Sequence, residues 1–215
     1  MSARASTLRL KRLCDVAAAV AGLVVLAPVS LCIALAVALD DGLPVLYKAR
    51  RSGRDGAEFT MYKFRTMRRD DGSGPRITAQ GDARVTRVGR LLRAYRLDEL
   101  PQLWNVLRGE MSLVGPRPED PLYVEHYSPA QRAVLAVRPG ITGAAQIAFR
   151  DEARLLRPGH VHDDYLNVVL PAKLAIDGEY VAALSLRRDG ALVAATLRAL
   201  FPGKVQSAVS SALHR

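Results

Sequence analysis

The chain has 215 residues, enough for one domain of ordinary size with a buried core but too few for two full catalytic domains. Its 31 Lys and Arg against 21 Asp and Glu give a net charge of +10, so its partners should be anionic: phosphates, lipid headgroups or nucleic acid. The two cysteines, Cys14 and Cys32, would lie roughly 27 Å apart on a straight helix, which excludes a disulfide framework and suits a body that faces the cytosol.

An apolar segment covers residues 13–39, with Asp15 as its only charge. It is long enough to cross a bilayer, which takes about 20 apolar residues, and too long for the apolar region of a signal peptide. Both flanks are basic, with Arg4, Arg9, Lys11 and Arg12 before the segment and Lys48, Arg50, Arg51 and Arg54 after it. Under the positive-inside rule both ends prefer the cytoplasm, and Pro28 should bend the helix. A re-entrant helix that enters and leaves on one face fits these observations, with an ordinary kinked transmembrane helix as the alternative.

Two short runs rich in branched and aromatic residues predict a β-hairpin. They cover residues 45–47 and 58–67, and a turn signal lies between them at 51–56. On the second strand Lys63 and Arg65 share a face. The polar, glycine-containing stretch 70–82 that follows predicts a mobile loop.

Helical periodicity covers residues 84–95 and 97–107, and residues 129–137 and 171–200 are also predicted to be helical. The piece 191–200 is amphipathic, so it lies on a membrane surface or packs on the core, and packing on the core is favoured. The predicted fold is α+β and mainly helical. Residues 1–40 are assigned to the membrane segment, 41–203 to the catalytic domain and 204–215 to a flexible tail.

Two adjacent carboxylates, Asp98 and Glu99, come just before an apolar helical stripe. Acidic residues near a helix N-terminus are stabilised by the helix dipole, and this is the plain interpretation of an isolated pair. The same placement would keep Asp98 ionised and point free amides at a bound phosphate, as a carboxylate nucleophile in phosphoryl chemistry requires. The two interpretations are compatible.

Attack on a pyrophosphate by a carboxylate requires cations that offset the charge of the phosphates. The candidate cations are Lys63, Arg93, Arg117 and Arg150. Arg117 lies between two prolines that restrict its backbone, and its guanidinium can grip phosphate oxygens in a bidentate manner. Each arginine taken singly is typical of a solvated surface.

Several motifs occur in a fixed order: KRLCD before the apolar segment, YKFRTM, TRVGRLLR, LDELPQLWNVLRGEMSLVGPRPE and VRPGITG. Together they resemble the bacterial sugar transferases, also called monotopic phosphoglycosyl transferases, in their small form. The resemblance covers residues 9–200, nearly the whole chain. It implies a re-entrant membrane helix bent near the proline, amphipathic interfacial helices and a catalytic domain facing the cytoplasm at the bacterial inner membrane.

The resemblance also implies a role for each matching residue. Asp98 matches the nucleophile that attacks the sugar-bound phosphate of a UDP-sugar, expelling UMP, and Glu99 matches its Mg²⁺-binding partner. Basic substrate-binding positions are matched by Lys63, Arg93, Arg117 and Arg150, and a later acidic one by Asp189. Polyprenyl (undecaprenyl) phosphate then attacks the intermediate, and the resulting polyprenyl diphosphate sugar initiates assembly of an exopolysaccharide, capsule or glycoconjugate.

The chain departs from the family after the Ile-Thr-Gly turn, where many members read close to WAQVNGRN and this chain reads AAQIAFRD. It keeps the arginine, Arg150, but lacks the asparagines, which leaves the sugar and nucleotide preference open. Residues 153–173 also look expanded relative to small members. His160 and His162 in this region invite a metal interpretation, but a surface loop is favoured.

Two other functions stay open on the sequence. A membrane-anchored basic module that binds anionic lipid or nucleic acid would explain the charge but not the Asp98-Glu99 pair, and the few scattered aromatic residues argue against base stacking. A hydrolase of lipid or nucleotide diphosphates could use the same aspartyl-phosphate route with water. We expect a UDP-sugar, polyprenyl phosphate and the membrane as partners and no nucleic acid. The oligomeric state, a homodimer being one option, is left open.

Overall fold

The computed structural model describes residues 3–68, 81–152, 155–157 and 159–200. Its helices are α1 (Ala3–Val25), α2 (Ala27–Asp41), α3 (Arg87–Ala94), α4 (Gln102–Arg108), α5 (Pro121–Val124), α6 (Ala144–Ala148), α7 (Val161–Asp164), α8 (Leu170–Ala182) and α9 (Leu186–Leu200). Its strands are β1 (Leu46–Ser52), β2 (Glu58–Phe64), β3 (Ser112–Val114) and β4 (Gly140–Thr142). The α+β, mainly helical class is confirmed. The predicted tail 204–215 and residues 70–80 of the predicted loop lie outside the described residues.

The N-terminal segment is a bent pair of helices. α1 and α2 meet at Leu26, whose backbone (φ −92°, ψ 3°) leaves the helical range, and their axes differ by 61°. Pro28 lies in the first turn of α2, where its missing N–H needs no partner. The break therefore lies close to Pro28, as predicted. No described helix is by itself long and apolar enough to cross a bilayer, whereas this bent pair meets both criteria together.

Polar contacts tie α1 to the rest of the molecule. Lys11 Nζ lies 2.7 Å from Asp189 Oδ2, and both side chains are buried. The buried carboxylate of Asp15 accepts from Ser112 Oγ at 2.8 Å and from the next backbone amide at 3.1 Å. Arg12 donates to two carbonyls of the last turn of α4 at 2.6 and 3.1 Å, groups that a helix end leaves without partners. Lys11, Arg12 and Asp15 therefore anchor α1 to the rest of the molecule.

The predicted β-hairpin is present. β1 and β2 pair in antiparallel register, with Lys48 opposite Tyr62. β1 extends to Ser52, further than the run 45–47 predicted, because the turn begins only at Gly53. Asn105 on α4 fastens the hairpin to the body: its Nδ2 donates to the Thr60 carbonyl at 2.7 Å and its Oδ1 accepts from the Tyr62 amide at 3.1 Å.

A second sheet was not predicted. β3 and β4 pair in parallel, and each has only three residues, too few for a recognisable period-two pattern. The chains approach so closely that a Cβ on Gly140 would lie 2.1 Å from the Gly115 nitrogen. Glycine is required there by the contact between the two backbones. This contact fixes the start of the loop that carries Arg117.

The remaining helices are shorter than the periodicity predicted. α3 begins at Arg87 because Thr86 caps it, accepting from the Gly89 amide at 2.9 Å. Residues 97–107 divide into a 3₁₀ turn and α4, and 129–137 form a 3₁₀ helix over Gln131–Ala136. Residues 171–200 form α8 and α9, separated by three residues.

α7 runs into α8 through a π-helical turn over Tyr165–Val169. Pro171 is the second residue of α8, and because it has no N–H it removes one bond from the α-helical ladder. α9 packs on the core through Leu192 and Val193, while Leu197 is 55 % exposed. The favoured packing of the amphipathic piece on the core agrees with these contacts.

Candidate active site

The two adjacent carboxylates lie on the 3₁₀ turn Leu97–Glu99, between α3 and α4. Asp98 and Glu99 are 9 % and 7 % exposed. Arg96, just before the turn, has left-handed backbone angles (φ 53°, ψ 24°), which for a residue other than glycine store about 1–3 kcal/mol of strain. Strain of this kind is concentrated at functional sites, so the turn is a candidate site on its backbone alone.

Three cations surround Glu99. Lys63 Nζ lies 2.9 Å from Oε1, Arg117 Nη1 lies 3.6 Å from the same oxygen, and Arg96 Nη1 lies 3.9 Å from Oε2. Burial by itself would raise the pKa of Glu99, but the three cations together lower that pKa to about 2. Glu99 is therefore ionised at neutral pH.

Asp98 has a different environment from its neighbour. Burial raises the pKa of its carboxyl above the usual range, and the Glu99 charge adds to this, while Lys63 and Arg93 act against it. Among the described residues, the Asp98 carboxylate forms no ion pair within 4 Å, unlike Glu99 beside it. A buried carboxylate with nearby cations and no close partner can accept a new bond at its oxygen.

Arg93 reaches this turn from the end of α3. Its Nε donates to Thr66 Oγ1 at 2.9 Å, just after β2. α3 packs directly on this part of the chain, since a Cβ on Gly89 would lie 2.1 Å from the Thr66 carbonyl oxygen. The close packing fixes the distance between the end of α3 and the hairpin, and with it the position of Arg93 beside Asp98.

Arg117 comes from the loop that follows β3. Its backbone amide donates to Asp177 Oδ2 at 3.4 Å, and the other oxygen of Asp177 accepts from the Ala145 amide at 3.3 Å. The side chain faces Glu99, and the surrounding carboxylates raise the pKa of the guanidinium in spite of its burial. Asp177 thus connects α8 to the loop that carries this arginine.

The arrangement is a buried carboxylate pair with fixed cations, which suits the handling of phosphates. The sequence model described as "Bacterial sugar transferase" matches residues 6–203. The chain belongs to the bacterial sugar transferase family. This confirms the family that the motifs resemble, and it makes the chain a sugar transferase enzyme by class.

Three relatives of this bacterial sugar transferase illustrate the family. The chain is 43 % identical over 194 residues to the UDP-glucose:undecaprenyl-phosphate glucose-1-phosphate transferase of Caulobacter vibrioides, covering 88 % of this chain and 69 % of that protein. It is 35 % identical to the UDP-N-acetylgalactosamine-undecaprenyl-phosphate N-acetylgalactosaminephosphotransferase of Aeromonas hydrophila, and the match covers 90 % of this chain and 44 % of that protein. It is 40 % identical to the undecaprenyl-phosphate glucose phosphotransferase of Komagataeibacter xylinus (87 % and 35 % covered). The chain thus spans less than half of the last two.

The predicted site residues of this sugar transferase divide into two groups. Lys63, Arg93 and Arg117 lie around the carboxylate pair, as described above. Arg150 is exposed, donates to the Ala199 carbonyl in α9, and lines a small cleft together with Arg96.

Asp189 also has partners outside the carboxylate pair. Besides Lys11, it binds Tyr180, whose hydroxyl donates at 2.6 Å. The substrate-binding roles of Arg150 and Asp189 stay predictions.

Sequence reasoning missed Arg96 and Asp177. Arg96 could have been found, since it lies three residues before Glu99, a spacing that brings side chains together on a helical turn. Asp177 gave a weaker signal: it interrupts the apolar face of the predicted helix 171–200, where an acidic residue must find buried partners. Which partners these are cannot be read from positions 32 and 60 residues away.

Proposed function

We propose that this chain transfers a sugar 1-phosphate from a UDP-sugar to polyprenyl phosphate through a covalent intermediate on Asp98. The observation that carries the proposal is the contrast within the carboxylate pair: Glu99 attracts three cations, while Asp98 beside it has no ion pair among the described residues. The names of the relatives support the donor class and the lipid acceptor.

In the first step an Oδ of Asp98 forms a bond to the sugar-bound phosphorus of the UDP-sugar. The bond from that phosphorus to the bridging oxygen breaks, and the oxygen leaves with UMP. Negative charge builds up on the phosphate oxygens and on the leaving group. Lys63, Arg93 and Arg117 offset it as cations held in advance, so little reorganisation is needed during the step.

In the second step a phosphate oxygen of polyprenyl phosphate attacks the same phosphorus. The bond to Asp98 breaks, the carboxylate is restored, and polyprenyl diphosphate sugar is released. A hydrolase would use water here instead. The acceptor is therefore what separates the two enzymes, and UMP release that depends on polyprenyl phosphate identifies the transferase.

Glu99 is the residue that we assign to Mg²⁺. Its carboxylate is ionised at neutral pH, because nearby cations lower its pKa to about 2, and it offers the hard oxygen that this ion prefers. Mg²⁺ typically takes one or two protein carboxylates and completes its shell with water and substrate phosphates, so a single acidic side chain is sufficient. When bound, the ion would neutralise charge on the diphosphate.

The bent helix pair is proposed to be re-entrant in the cytoplasmic membrane, with the catalytic domain on the cytoplasmic side. Both ends of the pair are tied to that domain: Lys11 binds Asp189, and Arg65 donates to the carbonyls of Asp41 and Gly42 at 2.6 and 2.7 Å. Large apolar side chains face outwards along the pair, at Leu10, Leu13, Val20, Val24, Val25, Val29, Leu31, Leu35 and Leu39. A helix pair whose two ends are both held by the catalytic domain, and whose outer surface is apolar, suits a membrane segment that enters the bilayer without crossing it.

The function is tested with purified protein, Mg²⁺, polyprenyl phosphate and a panel of UDP-sugars, following UMP release. With one donor the parent should release UMP in the presence of the acceptor, and Asp98→Asn should lose at least about 1,000-fold in turnover, since it lacks the nucleophile. Asp163→Asn, the same exchange at an exposed site, should keep parental turnover. Without acceptor, intact-mass measurement should detect a phosphosugar adduct on the parent alone. Full turnover by Asp98→Asn would refute the assignment.

A further inference from the structure

A second charge cluster surrounds the buried side chain of Lys173. Lys173 on α8 is 3 % exposed, and its Nζ lies 3.1 Å from Glu119 Oε1, 3.1 Å from Glu152 Oε2 and 3.0 Å from the Tyr165 hydroxyl. The hydroxyl also donates to Glu119 Oε1 at 2.7 Å. None of these residues contacts the carboxylate pair directly, so the mechanism above does not use them.

The cluster has one positive charge for two carboxylates. Burial would by itself lower the pKa of Lys173, yet Glu119 and Glu152 raise it, so the lysine is charged. One lysine cannot balance both carboxylates, and a surplus negative charge remains. A carboxylate that is largely shielded from water, as Glu119 is with a side chain 12 % exposed, is stabilised by any cation within reach.

Arg117 is the other cation that acts on this cluster. Glu99, Glu152 and Glu119 all attract its guanidinium, and Lys173 and Arg117 are the two cations that stabilise the Glu119 carboxylate. Arg117 nevertheless forms its ion pair with Glu99, at 3.6 Å. The guanidinium is thus attracted by both sets of carboxylates, and among the described residues its contact at 3.6 Å is with Glu99.

We propose that Lys173 is a positioning residue: by binding Glu119 and Glu152 it prevents them from capturing Arg117, which stays turned towards Glu99 and the donor phosphates. The inference rests on the proposed function for its consequence in turnover, but the position of Arg117 is independent of the reaction. Without Lys173 the Glu119 and Glu152 carboxylates, whose side chains are 12 % and 30 % exposed, would have Arg117 as the remaining cation that acts on them, and arginine binds carboxylates in a bidentate manner. The guanidinium would then leave the phosphate side.

The test compares Lys173→Met with the double variant Lys173→Met/Glu152→Gln in the UMP-release assay. Lys173→Met should lose about 100-fold in turnover, as expected when a phosphate-binding group is misplaced by an ångström or more. The double variant returns the cluster to the parent's net charge of −1, with the Tyr165 hydroxyl still donating to Glu119, and should recover at least about tenfold of the loss, although the lysine is still absent. Glu152→Gln alone should stay close to the parent.

A loss of stability alone cannot imitate this pattern. Val169→Ala is the matched control, because Val169 is buried in the apolar cluster that also contains Tyr165 but makes no polar side-chain contact. It should lower the melting temperature while turnover of the folded protein stays within about twofold of the parent. If Lys173→Met does not fold, Lys173→Gln, which is uncharged but can still donate to the carboxylates, should give the same loss and the same recovery.

The crystal structure of the folded Lys173 variant tests the inference without activity. We expect the Arg117 guanidinium to form an ion pair with Glu119 or Glu152 instead of Glu99, and to return to Glu99 in the double variant. An Arg117 that keeps its 3.6 Å contact with Glu99 would overturn the inference, as would full turnover of Lys173→Met or a double variant with no recovery. A parent that releases no UMP from any donor would overturn the proposed function alone, since the structure still decides the position of Arg117.

Discussion

The buried carboxyl of Asp177 should make the stability of the protein depend on pH in an unusual direction. It is 4 % exposed on α8, and burial raises its pKa to about 6 although two backbone amides and Lys173 act to lower it. Glu119, close by, adds to the rise. Protonation of most carboxyl groups makes a folded protein less stable, whereas protonation of Asp177 should make this protein more stable.

The magnitude follows from the pKa of Asp177, which is about 6 in the folded chain and ordinarily 3.8. This difference corresponds to about 3 kcal/mol in the free energy of unfolding. Because the folded pKa is the higher one, this contribution is fully present below about pH 4 and is lost as the pH rises through about 6. About 2 kcal/mol of this contribution to stability is lost between pH 4.5 and pH 7.5. In a chain of this size that equals roughly 4–8 °C in melting temperature.

Asp177→Asn cannot titrate, so its melting temperature relative to the parent should rise by that amount from pH 4.5 to pH 7.5. The measurement is thermal unfolding in detergent, followed by near-ultraviolet circular dichroism at several pH values. Other groups titrate equally in both proteins and cancel in the difference. Asp163→Asn, at an exposed position, should show no such trend. An offset between Asp177→Asn and the parent that is constant over the whole range would refute the reasoning.

Two further predictions concern the membrane segment and the hairpin. In a background without the native cysteines, Ser6→Cys and Lys48→Cys lie on either side of the apolar segment 13–39. A membrane-impermeant maleimide should label both in inverted vesicles and neither in spheroplasts, whereas a crossing helix would expose one of them to each side. Asn105→Asp replaces an amide nitrogen that donates to Thr60 and Glu110 with a second acceptor, so it should cost about 2–5 kcal/mol, measured as a fall in melting temperature; an unchanged melting temperature would contradict the role given to Asn105.

Features that depend on neighbouring residues could be predicted from the sequence. The break near Pro28, the hairpin and the start of α3 after Thr86 follow from proline, from β-branched residues and from a capping hydroxyl, each acting within one or two turns. Lys63 and Glu99 could be proposed as site residues because their motifs resemble those of a known family. Their 2.9 Å contact could not, because nothing in the sequence specifies how the hairpin packs against α4.

What the sequence could not provide are contacts between distant charges. Asp15 was recognised as the single charge of an apolar segment, but its partner Ser112 lies 97 positions away on a strand too short to predict. Lys173 appeared only as part of a region that looks expanded. Its importance depends on Glu119 and Glu152, which approach it from two different loops, so the cluster exists only in the folded chain.

The anchoring of α1 has a mechanical consequence. Lys11, Arg12 and Asp15 form polar contacts with three separate parts of the domain, including the end of α4. α4 begins just after the turn that holds Asp98. A helix held at three points cannot tilt on its own. If α1 lies in the membrane, its depth and slope are transmitted to the Asp98 carboxylate, which is then kept at a set height above the hydrocarbon. A change in bilayer thickness would then shift the Asp98 carboxylate relative to the membrane surface, because α1 and the turn that holds Asp98 move together.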